Sequence, residues 1–361
     1  MPKNCKWPDR GVDRSPRSCR PSSLHPVQTD RRGFLATIGS SFLIAACTTP
    51  NRPNESATPG EFAGRRWVIG FSNASESNTW RTALRESIEQ SAAAYDNVDL
   101  LITDANDSPA KQVADLEDLL ATGVDGLIIG AANTHVANTA IEECAQQGIP
   151  TVIVDRKVST DRFTTFVSTD HTWIAGTALE KLIELIGGEG KIAIIEGLPG
   201  AGPAVERNLG YDQVLAKHPT IEVIRQAGDW SRASGQRVTE NVLAANLDLD
   251  GIHFDGGEMA VGGVQALRDG GITDEMMQAG KPFLTWTDGY NGGLKLIHEG
   301  IGKFSIQHPP RIHGERCVDS LIKIFQGGEV PKEQPIRLDF ITPENVADYV
   351  ALDKPDDYWA R

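Results

Sequence analysis

The sequence is poor in the patterns that hold metals and cofactors. Its 361 residues include five cysteines and eight histidines, with no His-Glu-x-x-His, no paired Cys-x-x-Cys and no calcium-loop spacing, so no metal and no cofactor is expected. Gly187-Gly188-Glu189-Gly190 precedes an apolar strand instead of following one, which removes the strand-then-helix context of a phosphate loop. Basic charge is scarce beyond residue 46, where 27 Lys and Arg face 46 Asp and Glu, a net of −19. Such a body repels phosphate backbones, and a nucleic-acid partner is excluded. Long apolar runs are missing too: Phe34 to Ala46 is moderately apolar but too short to span a bilayer as a mature helix.

The first 46 residues differ from the rest, with eight Lys or Arg against three Asp or Glu. Arg31-Arg32-Gly33-Phe34-Leu35 resembles a twin-arginine export signal, and Leu43-Ile44-Ala45-Ala46-Cys47 resembles a bacterial lipobox, in which the Cys is lipidated and becomes the first mature residue. Order and spacing together predict a signal over 1–46 and a lipid anchor at Cys47, whose two acyl chains suffice for stable attachment. Residues 47–64, rich in Pro, Asn, Ser and Thr without apolar period, read as a flexible tether. Cys5 and Cys19 would leave with the signal. Cys144 and Cys317 lie in helical patterns, where small buried thiols are the first reading and a disulfide forms only if the two meet.

From Arg65 onward short apolar runs alternate with amphipathic stretches, the pattern of repeated βα units. Strands are predicted over 66–72, 98–103, 126–130, 149–154 and 164–168, then over 192–195, 223–227, 251–254 and 283–286. Trp80, Leu84 and Ile88 stack at four-residue spacing on the first helix, and Ser108-Pro109 opens the next with an N-cap and a proline at N1. No Gly-rich interval separates two independent domains. The fold class is therefore α/β, two similar doubly wound parallel-sheet lobes joined by a multi-segment hinge. Residues 65–169 with 308–336 are assigned to the N-terminal lobe and 170–307 with 337–361 to the C-terminal one. Phe304 to Gln307 and Ile336 to Ile341 are chosen as the strands that cross back.

The most informative stretch is Thr151 to Arg156. An apolar strand, Thr-Val-Ile-Val, runs directly into Asp155 and Arg156. Ligands of open α/β sheets bind beyond the carboxyl ends of the strands, where an acceptor beside a forked donor can grip vicinal hydroxyls. A solvated strand end carrying a surface ion pair is the alternative. Other strand ends repeat the theme: Asn78, Trp80 and Arg81 follow the first strand, and Asp104, Asp170, Arg207, Trp230, Asp255, Asp288 and Gln307 follow later ones. Asp, Asn, Gln and Arg can each bond two neighbouring hydroxyl oxygens, and indole rings can cover the apolar C–H faces of a sugar.

Phe71-Ser72 with Asn78-Thr79-Trp80-Arg81, the Asp155-Arg156 pair, Glu206-Arg207 before Gly210-Tyr211, Gly228-Asp229-Trp230, Glu258-Met259-Ala260, Thr287-Asp288-Gly289 and Ile306-Gln307 resemble, in order, the ribose, galactose and galactofuranose class of type 1 periplasmic binding proteins. The resemblance covers about Val68 to Ile341. It implies a monomeric receptor that binds a monosaccharide or polyol between its lobes and delivers it to an ABC permease. By resemblance Asn78, Trp80 and Arg81 form the first lobe's wall, Asp155 and Arg156 the hydroxyl clamp, Arg207 a donor from the second lobe and Trp230 a stacking aromatic. Asp288 and Gln307 become hinge-side acceptors, with Asp104, Asp170 and Asp255 as rim or hinge residues. Trp80 as a core anchor, Trp230 as a surface aromatic and Arg207 as the ion-pair partner of Glu206 or Asp212 are the structural alternatives. Two positions depart from the pentose-binding pattern. Gly256 stands where an Asn is common, and Arg81 where ribose binders carry Phe, which favours a ligand richer in hydroxyls or one bearing an acid group.

Two other classes compete with this reading. A glycosidase needs a carboxylate pair, which Asp155, Glu258 and Asp288 could supply, but Glu258 at a helix N-terminus has a simpler cause in the helix dipole. A regulator of the lac-repressor type would carry a helix-turn-helix where the signal and tether stand. A ligand-sensing receptor that docks on a chemoreceptor or sensor kinase is the alternative to import. His171, His253, His308 and His313 are read as dispersed and structural.

Overall fold

The computed structural model describes residues 59–246 and 248–359. The signal over 1–46 and Cys47 lie outside them. In chain order α1 (Pro59–Gly64) precedes β1 (Trp67–Asn73), α2 (Thr79–Ala93), β2 (Val98–Asp104), α3 (Pro109–Thr122), β3 (Gly126–Gly130), α4 (Asn138–Gln147), β4 (Thr151–Asp155) and β5 (Thr165–Ser168). The chain continues with α5 (His171–Leu185), β6 (Gly190–Glu196), α6 (Gly202–Leu215), β7 (Ile221–Ala227), α7 (Arg232–Ala245), β8 (Gly251–Phe254), α8 (Gly257–Asp269), α9 (Asp274–Gln278), β9 (Phe283–Thr287), α10 (Asn291–His298) and β10 (Gly302–Ile306). Helix α11 (Pro310–Phe325) and two short strands, β11 (Glu333–Pro335) and β12 (Phe340–Ile341), complete it.

The strands form two six-stranded sheets, ordered β11-β5-β4-β3-β1-β2 and β12-β10-β9-β8-β6-β7. Every pairing is parallel except that of β10 with β12. Each sheet therefore reverses direction beside its first strand, β1 in one lobe and β6 in the other. Helix starts follow local chemistry: Asn78 caps α2 by accepting from Arg81 N, and Ser108 caps α3 ahead of Pro109. Helix α3 closes at Gly123, whose φ of +83 suits a residue without a Cβ.

Continuous apolar runs such as Leu127 to Ile129 and Ile192 to Ile195 are fully buried, because helices cover both faces of each sheet. Cys144 and Cys317 are both buried and free, and they sit in different apolar clusters. Helices α7 and α8 approach closely, and a Cβ on Gly262 would fall 2.0 Å from the Arg232 carbonyl oxygen.

Two expectations are corrected. The tether was read to Gly64, but residues 59–64 form α1, and Phe62 is buried against Trp67, its carbonyl accepting from the indole of Trp67 and from Asn97 Nδ2. An aromatic ring with an apolar groove to fill outweighed the surrounding small and polar residues. Ile336 to Ile341 was read as one strand, whereas β11 belongs to the first sheet and β12 to the second, with 336–339 crossing between them. The crossing is stitched to its neighbours by backbone bonds, Ile336 N to Ser168 O at 3.0 Å and Gln307 N to Asp339 O at 2.8 Å. A segment that joins two sheets cannot remain in register with either.

Gly262→Ala should destabilise the protein by about 1–3 kcal/mol, because the obstructing atom is backbone and cannot rotate away. Chemical denaturation monitored by circular dichroism measures it, and a change below about 0.5 kcal/mol would contradict the close packing.

Candidate functional site

A cavity lies between the lobes. Asn78, Trp80, Arg81, Asp155 and Arg156 line it from the first lobe, and Pro203, Arg207, Trp230, Asp255, Gly256, Glu258, Asp288 and Trp359 from the second. His308 reaches it from the crossing after β10.

Asp155 ends β4 with φ at +61, and Arg156 N donates to Val154 O at 2.7 Å, closing a tight turn around it. A non-glycine residue there costs about 1–3 kcal/mol, and the turn aims the carboxylate inward. Its Oδ1 accepts from His171 Nε2 at 3.0 Å and His308 Nε2 at 3.1 Å, and its Oδ2 from Arg81 Nη2 at 3.3 Å. Burial alone would raise this carboxyl, but the bonds from His171 and His308 overcome it and hold it well below the usual carboxylate range. Burial, with Arg156 nearby, lowers Arg81 to about 9 against the pull of Asp155, so it remains a cation at neutral pH.

Arg156 Nη1 donates to the carbonyls of Ala131 and Ala132, each at 3.3 Å. Arg207 Nη1 donates to Asp255 O at 2.6 Å, and its ion-pair distance to Asp255 Oδ1 is 4.0 Å. Glu206 pairs with Lys157 and Asp212 with Arg225, so neither is the partner of Arg207. Among the described residues Arg81 Nη1, Arg156 Nε and Arg207 Nε are buried with no hydrogen-bond partner. One cavity thus collects guanidinium donors from both lobes that can serve oxygens of a bound molecule.

The carboxylates of the second lobe differ in use. Asp255 accepts from Gly197 N at 2.9 Å and from the Tyr211 hydroxyl, so both oxygens support the scaffold. Asp288, at φ +87, accepts from Gly257 N at 3.0 Å and Tyr290 N at 2.9 Å. Burial pushes its carboxyl up to about 7 in spite of those two bonds. Glu258 opens α8 and accepts from Thr79 N at 3.0 Å and from the Thr79 hydroxyl, a contact across the mouth of the cleft. Trp230, at φ +56, lays its indole where a Cβ on Gly197 would fall 2.1 Å from the ring. Trp80 stacks on His308 at 4.6 Å between ring centroids and donates from Nε1 to His308 O at 2.9 Å, so it packs between the lobes while facing the cavity.

Three sequence readings fall outside the cavity. Asp104 turns back to accept from Asn106 N at 2.9 Å, and Asp170 caps α5 by accepting from Trp173 N at 2.8 Å. Gln307 is buried in the crossing and does not line the space. The histidines, read as dispersed, are a further correction: His171, His308 and His313 gather at the hinge, because α5, the crossing and α11 converge there. Sequence reasoning missed His308, Trp359 and Pro203 as lining residues. The hinge position of His308 beside Gln307 was the signal for the first, whereas Trp359 gave none.

The ligand atoms of Asp155, His308 and His313 lie within 4.8 Å of one another, a spacing that a metal ion could bridge. Yet Arg81 occupies the same carboxylate, and His313 donates from Nδ1 to Pro309 O at 2.7 Å while Nε2 meets the Thr169 hydroxyl at 2.8 Å. The cluster is built as a hydrogen-bond network around a buried anion.

Two α/β lobes whose strand ends and crossings surround one cavity lined by indoles, guanidiniums and carboxylates define a bilobal receptor for a small, oxygen-rich solute. The chain belongs to the periplasmic binding protein domain family, which it matches over residues 69–329. It is 27% identical over 303 residues to the ribose import binding protein RbsB of Bacillus subtilis, covering 83% of this chain and 95% of that protein. It is 25% identical over 277 residues to the galactofuranose-binding protein YtfQ of Escherichia coli, covering 74% and 84%. An ABC transporter solute binding protein of Bacillus halodurans with bound myo-inositol has a TM-score of 0.72 at 25% identity, over 79% of this chain and 97% of that one. The family is one of binding proteins, and no helix among the described residues is long and apolar enough to cross a membrane.

Burial lowers His253, His308 and His313 to about 4, so between pH 6.5 and 4 the unfolded chain takes up protons that these folded rings refuse. Their stabilising contribution is present above pH 6.5 and lost as pH falls toward 4. Asp288 works in the opposite sense, holding a proton in the folded state up to about 7 that the unfolded chain releases near 3.8, so its contribution grows as pH falls. The protein should lose stability from pH 6.5 to 4, and Asp288→Asn should lose it more steeply. Denaturant midpoints across that range test the slopes, and a shallower slope in the variant contradicts the assignment.

Proposed function

We propose that the protein is the solute receptor of an ABC importer, closing two lobes on a monosaccharide or similar polyol and presenting it to a permease. The observation that carries this reading is the convergence of Asp155, Arg81 and Arg156 from one lobe with Arg207, Trp230 and Asp288 from the other on a single cavity. The ribose, galactofuranose and myo-inositol ligands named for its relatives share vicinal hydroxyls, the feature that a carboxylate beside guanidinium forks is suited to grip. Arg156 and Arg207 would donate to hydroxyl oxygens, Asp288 would accept or donate according to its protonation, and Trp230 would cover a C–H face. Asn78 has its side-chain oxygen committed to the cap of α2, which leaves its amide N–H groups for the ligand. Gln307 would act by holding the crossings in place.

The envelope assignment rests on the sequence. A twin-arginine signal followed by Cys47 would export the folded domain and anchor it by lipid, with residues after Cys47 as the tether up to α1. The receptor is proposed to act as a monomer, its N-terminal lobe formed from 65–169 with 308–336 and its C-terminal lobe from the remaining segments.

A thermal-shift screen of the chain from Thr48 onward, which keeps α1 whole, against pentoses, hexoses, furanoses, polyols and sugar acids tests the reading. A micromolar ligand at millimolar concentration should add about 4 kcal/mol of stability. No stabilisation by any member overturns it. With a ligand in hand, Arg207→Ala should weaken binding by about 2–4 kcal/mol, because acceptors on the ligand and on Asp255 lose their donor. Calorimetry reads the loss, and near-native affinity removes Arg207 from the site.

A further inference from the structure

Residues 351–359, beyond the matched family region, return to the cleft. They are fixed to the second lobe through buried Asn291, whose Nδ2 donates to Ala351 O and Pro355 O, each at 2.9 Å, and whose Oδ1 accepts from Ala351 N at 2.9 Å. Asn291 N donates to Tyr358 O at 3.2 Å and Gly292 N to Asp356 O at 3.0 Å. Lys295 and Arg232 both reach Asp356, at 3.1 and 3.3 Å. These bonds stay within one lobe and survive any motion of the other.

At the tip the partners change lobe. Trp359 is 3% exposed, bridges Tyr290 as an isolated strand pair and lines the cavity with Trp80 and Trp230. Its Nε1 donates to the Thr79 hydroxyl at 3.1 Å, and its carbonyl accepts from Arg311 Nε; Thr79 and Arg311 stand on α2 and α11 of the first lobe. Thr79 in turn donates to Glu258 of the second lobe. A first-lobe hydroxyl that accepts from Trp359 and donates to Glu258, both of the second lobe, meets its two partners only when the lobes are together.

We propose that Trp359 is a ligand-contacting and closure-positioning residue, so that the C-terminal tail forms a third wall of the site and holds the closed state through Thr79. The inference rests on the receptor reading above. Lobe separation breaks the Trp359–Thr79 and Arg311–Trp359 bonds together, which couples the tail to release of the ligand. Where the Trp359 indole lines the cavity it meets the apolar C–H side of the polyol, as Trp230 would.

The test uses the full chain with ribose, galactose, arabinose and myo-inositol as probes. For the best-bound probe, Trp359→Phe keeps the ring in the lobe core but removes the N–H, and Thr79→Val removes the hydroxyl from the other side. Each should raise Kd by about tenfold, chiefly through faster dissociation in stopped-flow, while the unliganded melting temperature stays within a few degrees of the native value. Trp359→Ala should cost more, and Lys181→Ala, which removes an exposed ion pair with Glu184 on α5 away from the mouth, should cost little. Native Kd and dissociation rate in both Trp359→Phe and Thr79→Val overturn the inference while leaving the receptor reading intact. A native chain that binds none of these probes nor any member of the wider panel overturns the receptor reading and this inference with it.

Discussion

Asp155 is the group on which the hinge and the cavity both depend. A carboxylate that is 4% exposed carries a desolvation cost of several kcal/mol unless its lone pairs are met. Here they are met by residues from separate parts of the chain: Arg81 from α2, His171 from the start of α5 and His308 from the crossing after β10. Two neutral imidazoles donate without adding charge, and the guanidinium supplies the counterion. The segments that join the lobes are therefore tied to the strand end that faces the cavity. Had a lysine stood in place of His308, a second cation beside Arg81 would have filled the carboxylate and drawn its charge away from the cleft.

The two lobes divide the remaining work unevenly. In the first, Arg81 and Arg156 are oriented by carboxylate and carbonyl groups that leave an N–H of each without a protein partner. In the second, Asp255 gives both carboxylate oxygens to Gly197 and Tyr211 and uses its carbonyl to hold Arg207, so an acid that lines the cavity serves mainly to aim a base. Asp288 is different again. With only backbone donors on its oxygens and a carboxyl pushed up to about 7, it can offer either a proton or a lone pair to a hydroxyl. Sugar hydroxyls both donate and accept, so such a group suits a neutral ligand without fixing its orientation in advance.

Much of this was legible in the sequence where local pattern decides structure. Apolar runs without alternation marked the buried strands, and a strand running straight into Asp155-Arg156 marked the crevice. Asp104 and Asp170 show where that logic stops. An Asp after a strand can face a ligand, fold back onto its own turn or cap the following helix, and only the backbone conformation chooses among the three. The histidines were illegible for another reason: His171 and His308 lie 137 positions apart and meet only because two crossings converge. Trp359 sits in a tail with no period and no motif, and its place is set by Asn291, an unremarked residue at the start of α10. Phe62 likewise belonged to a stretch whose composition spoke for a linker while one ring found a groove.

The contacts across the mouth constrain how tightly such a receptor can bind. Glu258 with Thr79, Trp359 with Thr79, and Lys157 with Glu206 join the lobes directly, and each favours the closed state. Reversing an open-to-closed ratio from about 99:1 to 1:99 takes roughly 5.5 kcal/mol of differential binding. Bonds to charged donors contribute about 1.5–3 kcal/mol each, so two to four made only after closure supply it. The unpartnered N–H groups of Arg81, Arg156 and Arg207 fall in that range, distributed over both lobes. Stronger protein bridges at the mouth would close the cleft before the solute arrived, and weaker ones would demand more bonds than a single sugar ring can make. A latch of one shared hydroxyl and one exposed ion pair lies between those limits, with selectivity left to the guanidinium wall.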